Sequence, residues 1–110
     1  MMNRNEIKKY LDGYRINMAK AGRLKGEMEN FTASAPSILK EIEECIKQSG
    51  MIEGVIISHK NICQREIMLR KYIYGQTLEK IAEELNYSPR HIQRILNDAV
   101  DSLGEKIIKS

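Results

Sequence analysis

From Thr77 to Leu103 the chain reads TLEKIAEELNYSPRHIQRILNDAVDSL, and this stretch leaves little freedom of structure. Leu78, Ile81, Ala82 and Leu85 recur at helical spacing, and Thr77 stands where a hydroxyl can cap the first turn. Asn86 follows, and asparagine accepts the left-handed backbone in which many helices end. Ser88 and Pro89 then start a second helix, the serine as N-cap and the proline at the first position, where a missing N–H costs nothing. Tyr87 and Ile92 occupy the two positions of a hydrophobic staple. Ile92, Ile95, Leu96, Ala99, Val100 and Leu103 form one apolar stripe. The pattern predicts a helix-turn-helix whose second helix shows Arg90, His91, Gln93, Arg94 and Asn97 on its other face.

The chemistry of that face favours DNA. No Asp or Glu occurs from Leu85 to Asn97, although Glu79, Glu83 and Glu84 crowd the helix before it and acids resume at Asp98. A recognition helix enters the major groove by its N-terminal turns, where carboxylates would face phosphates. Arginine can grip guanine O6 and N7 together, and glutamine or asparagine can do the same for adenine N6 and N7. The alternative is an ordinary solvated face, which often carries the same residues. Caps, turn and missing acids together favour the reading face.

The preceding helix sharpens the comparison. The run REIMLRKYIYGQTLEKIAEELNYSPRHIQRILNDAVDSL resembles the C-terminal DNA-binding domain, region 4, of sigma-70-type factors. Arg65-Glu66, Tyr72, Gly75, Thr77-Leu78, Ile81-Ala82-Glu83 and the turn from Ser88 to Ile92 carry the resemblance. With its heptad-rich N-terminal half, the whole chain resembles small phage-encoded transcriptional regulators of the ArpU and RinA type, which act on phage late or packaging genes in Gram-positive hosts. The resemblance implies a regulator that binds double-stranded DNA, with RNA polymerase as a possible second partner. Asn86 departs from the glycine usual at its position. Reading-face residues vary among members, so no target sequence transfers.

The N-terminal half carries a regular heptad. Ile7, Leu11, Tyr14, Met18, Ala21, Lys25 and Met28 are spaced alternately by four and three, behind an Asn3–Glu6 capping box. This helix is expected to end near Asn30 or Phe31, because TASAPS is a turn cluster with Pro36 inside it. A second series runs through Ile38, Ile42, Cys45, Ser49, Ile52, Ile56 and His59, widened by Leu39, Ile46 and Val55. Two such helices read as an antiparallel hairpin, a dimerising coiled coil, or both. Each interior glycine costs about 1 kcal/mol relative to alanine, so both helices need burial against a partner. Lys25, Ala21 and Ser49 weaken a simple two-stranded seam, and Gly50 and Gly54 leave a bend or break open.

Asn61 and Gln64 form another capping pair, opening a helix that runs to about Tyr74 with Ile62, Leu69, Tyr72 and Ile73 inward and Gly75 ending it. That helix completes a three-helix unit. Lys71 and Thr77, and also Arg65 or Arg70, are placed by this topology to meet phosphates beside the groove. Gly104 to Ser110 reads as a frayed tail. The expected architecture is all-α: residues 1–60 a heptad-rich oligomerisation region supporting a homodimer or higher homo-oligomer, residues 61–110 the helix-turn-helix domain.

Composition limits the rest. The formal charge of +3 permits nucleic-acid binding without arguing for it, and the basic excess lies in residues 1–30, with seven basic and four acidic side chains. Cys45 and Cys63 stand apart, with no CxxC and no histidine at metal spacing, and read as inert packing. His59 reads as a helix-end residue. No metal, cofactor or catalytic pair is expected, so an enzyme is not. The absence of a signal-like or spanning apolar run leads us to expect a cytoplasmic protein with no membrane partner. Rival readings are a true alternative sigma factor, a DNA-packaging subunit like the small subunit of terminase, and an anti-sigma-type protein-interaction module.

Overall fold

The computed structural model describes residues 2–30 and 35–109, and the ordered elements among them are all helical. Helix α1 spans Arg4–Asn30. Its start is closed by the capping box: Asn3 Oδ1 accepts from the Glu6 N–H at 2.9 Å, and Glu6 Oε1 accepts from the Asn3 N–H at 3.4 Å. Ile7, Leu11, Ala21 and Leu24 are buried along it and Tyr14 is half-buried. Met18, by contrast, is 43% exposed and Lys25 is exposed. In the outer part of the helix the inward places are taken by Ala21 and Leu24, three residues apart, which face Ile42 and Cys45 of α2 and leave the Lys25 ammonium in water.

Helix α2 spans Ala35–Ile57. Pro36 lies in its first turn and not in a turn between helices; there its missing N–H breaks no intrahelical bond. The rest of that turn cluster, Thr32 to Ser34, lies outside the described residues. The helix runs unbroken through Gly50 and Gly54. Its inward series is as spaced in the sequence, with Ile42, Cys45, Ser49, Ile52, Ile56 and then His59 buried. Leu39 and Ile46 do not widen that stripe; both are exposed. The two helices run in opposite directions. Gly13 lies against Ile52, the Ser49 hydroxyl donates to the Tyr14 carbonyl at 3.2 Å, and farther out Ala21 and Leu24 cluster with Ile42 and Cys45.

Helix α3, Ile62–Met68, starts on an Asn61 cap whose Oδ1 accepts from the Gln64 N–H at 3.0 Å. It continues as a π-helical turn, Leu69–Ile73, and stops at Gly75 with φ +71°. Ile62 is 72% exposed and not inward, because the first turn of α3 projects beyond the core; Ile67 and Met68 take the interior places. His59, between α2 and α3, is buried, and its Nε2 donates to Gln64 Oε1 at 2.6 Å. Cys45 is buried as read, whereas Cys63, on the outer side of α3, is exposed.

Helices α4, Leu78–Leu85, and α5, Pro89–Lys109, follow. The backbone of the expected tail is helical through Lys109, and Gly104 is buried. A Cβ at Gly104 would sit 2.6 Å from Ile7 Cδ1, so the missing side chain is what lets α5 close on α1. Beside this contact Arg4 forks onto Asp101, Nε to Oδ1 at 2.9 Å and Nη2 to Oδ2 at 2.6 Å.

The main core draws on every helix: Ile7 and Leu11 of α1, Ile52 and Ile56 of α2, Ile67 and Met68 of α3, Ile81 of α4, and Ile92, Leu96 and Leu103 of α5. A smaller cluster of Ala21, Leu24, Ile42 and Cys45 lies farther out between α1 and α2. The core thus crosses the division near residue 60.

Candidate nucleic-acid interface

The turn between α4 and α5 is built by three local devices. Thr77 is extended, and its Oγ1 accepts from the Lys80 N–H at 3.1 Å, starting α4. Asn86 is left-handed at φ 59° and ψ 40°, and the Tyr87 N–H reaches back to the Ala82 carbonyl at 2.9 Å. Ser88 Oγ then accepts from the His91 N–H at 3.1 Å, opening α5. These caps satisfy backbone groups that helix ends otherwise leave to water. Tyr87 is only partly a staple. Ile92 goes wholly into the core, while the Tyr87 ring stays 43% exposed and sits edge-on to His91, centroids 4.8 Å apart.

The inward stripe of α5 fixes what faces out. With Ile92, Leu96, Ala99, Val100 and Leu103 buried, Arg90 and Arg94 are exposed and His91, Gln93 and Asn97 are half-buried. Ser88, Arg90, His91, Gln93 and Arg94 thus share the first turns of α5. Asn97 differs. Its Oδ1 accepts from Gln93 Nε2 at 3.0 Å and from Lys8 Nζ at 2.8 Å, so its carbonyl is already engaged and its amide N–H groups remain. Lys8 comes from α1, 89 positions earlier in the chain. Periodicity gives no sign of such a contact; the basic excess of the N-terminal helix was the one available hint.

The flanking candidates divide. Arg70 is held by Glu66 at 2.9 Å and by Glu84, and Arg65 donates to the His59 carbonyl at 3.3 Å. Both guanidiniums therefore serve the packing of α3. Lys71, half-buried on the π-helical turn, has no acid partner among the described residues. Thr77 is exposed and its hydroxyl hydrogen is uncommitted by the cap. Thr77 caps the end of α4 away from the turn, and α4 is about 12 Å long at 1.5 Å per residue.

Two of the acids around the candidate face are held by bases. Glu84 is engaged by Arg70 and approached by Lys80 at 3.6 Å, and Asp101 by Arg4. The Arg4 hydrogen bond holds the Asp101 carboxyl below its usual value, and Asp101 in turn raises Arg4. No cluster of three or more His, Cys, Asp or Glu side chains that could hold a metal occurs among the described residues. No helix among them is long and apolar enough to cross a membrane.

Comparison with known proteins finds no matching family model, curated protein or solved structure.

Proposed function

We propose that this protein is a sequence-specific, double-stranded-DNA-binding transcriptional regulator that reads the major groove with the first turns of helix 89–103. One observation carries the reading: the Ser88-capped start of α5 presents Arg90, His91, Gln93 and Arg94 within a run free of acids from Leu85 to Asn97, while its opposite side is locked into the core. Basic and amide side chains on an immobilised helix N-terminus suit base edges and phosphates alike. The resemblance to sigma region 4 and to phage regulators of the ArpU and RinA type supports the regulatory role. It also makes RNA polymerase a candidate second partner, on fold analogy alone. In this reading the protein acts as a homodimer, with two recognition helices about 34 Å apart or a multiple of it. Lys71 and Thr77 contact phosphates, and Asn97 orients Gln93 more than it reads a base itself.

Selection from random duplex DNA with the full chain at physiological salt tests this. An enriched motif is expected, and a palindrome or direct repeat within it would give the symmetry of the dimer. Retention of DNA without enrichment would replace the reader by a non-specific binder. No retention even at low salt would sink the DNA reading in favour of a protein-binding module.

A further inference from the structure

The heptad of α2 occurs twice. The inward series is Ile38, half-buried, then Ile42, Cys45, Ser49, Ile52 and Ile56, all buried; the same spacing one residue later gives Leu39, Glu43, Ile46, Gly50, Glu53 and Ile57. One residue is about 100° around a helix, so the second series forms a separate stripe beside the first. Its apolar members are open to solvent: Leu39 is 46% exposed, Ile46 52% and Ile57 51%. A Cβ at Gly50 would meet nothing within 4 Å, which leaves space on the stripe for a facing side chain.

The outer cluster beneath this stripe is small. Ala21, Leu24, Ile42 and Cys45 hold together the ends of two long helices, and two of these four side chains are little larger than a methyl group. With Ile38 packed beside them, these four leave the outer half of the pair with little apolar burial.

Charge indicates what meets the stripe. From Arg15 to Lys25, α1 carries Arg15, Lys20, Arg23 and Lys25 and no acid, whereas from Glu41 to Glu53 α2 carries four glutamates and one lysine. Yet no ion pair joins α1 to α2 among the described residues; Arg23 pairs with Glu27 on its own helix. Cations and carboxylates therefore remain for a surface of opposite sign, and the chain itself carries both surfaces.

We infer that the Leu39–Ile46–Ile57 stripe of α2 is covered by a second copy of this chain, α1 of each protomer lying along α2 of the other. Cations of the Arg15–Lys25 stretch of α1 then face Glu43 and Glu53 across the seam, twice by symmetry. This interface belongs to the dimer invoked above, but its test reads mass and not DNA, so either idea can fail alone.

The test uses two full-length variants. Chain one carries Lys20→Glu and Lys25→Glu, so both its helices are acidic; chain two carries Glu43→Lys and Glu53→Lys, so both are basic. By sedimentation velocity the wild type should have twice the 12.7 kDa of the chain. Each variant alone should self-associate about a hundredfold or more weaker, with helical circular dichroism unchanged. An equimolar mixture should restore the dimer, since both seams then join opposite charges. Ile46→Ser should weaken the wild-type dimer about tenfold or more. Ile62→Ser, at an exposed position of α3 outside the seam, should not. A monomeric wild type, or variants that each dimerise like wild type, would overturn the inference.

Discussion

Arg94 and Asp101 lie two turns apart on one helix and do opposite things. Arg94 is exposed with no acid partner among the described residues, so its guanidinium is available to a ligand. Arg94→Ala is expected to cost roughly 1–3 kcal/mol of binding to a selected site and much less on random DNA, read by fluorescence anisotropy on both. Equal losses would assign it to a phosphate. Asp101 is spent on Arg4, and its lowered carboxyl pKa has a definite sign. A depressed acid contributes stability above its unfolded value, about 3.9, and loses it as pH falls through the lower folded value. Asp101→Asn should therefore flatten the acid limb of a stability–pH curve. Tyr72 works at the other end. Burial first, and the Asp12 charge second, raise its phenol well above the usual value. Its contribution is full below about pH 10, where the unfolded phenol begins to ionise, and is lost above. Tyr72→Phe should flatten the alkaline limb in urea titrations run across that range.

At the scale of elements, what is local was legible. The caps at Asn3, Asn61, Thr77 and Ser88 and the left-handed Asn86 all appear where side-chain chemistry places them, because each needs only its own neighbours within three residues. Phase over distance was harder. Met18 and Lys25 came out of the core because the outer half of α1 meets α2 through Ala21 and Leu24 instead, and Ile62 because its turn overhangs the core. Gly104 read as the start of a loose end, since nothing in its neighbourhood shows that Ile7 lies against it. The engagement of Asn97 by Lys8 was hidden for the same reason. The reading-face residues themselves could be named from periodicity, but their competing partners could not. Asn86 gives the test at this scale. Its φ of 59° is strained for a residue with a plain Cβ, so Asn86→Ala should cost about 1–2 kcal/mol. Asn86→Gly should cost nothing or stabilise slightly. Melting temperatures of the two variants decide.

The whole molecule behaves as its main core dictates. Because Ile7, Leu11, Ile52 and Ile56 complete the interior of α3, α4 and α5, we expect the long helices and the C-terminal unit to melt together. Leu11→Ala, at a fully buried position, should cost about 2–5 kcal/mol and lower a single calorimetric transition. Two transitions, with only one of them moved, would mean that the halves fold separately. A chain cut to residues 61–110 should for the same reason be much less protected from amide exchange than the same residues in the full chain.

Helix α1 passes without interruption from the outer cluster to the contacts with Gly104, Asp101 and Asn97. Its 27 residues make a rod about 40 Å long. A tilt of about 5° at the outer end would carry the other end through about 3.5 Å by the length of that rod. The rod thus joins the outer cluster to the flank of α5 without a hinge, so a displacement at its outer end is carried to the contacts with Gly104 and Asn97.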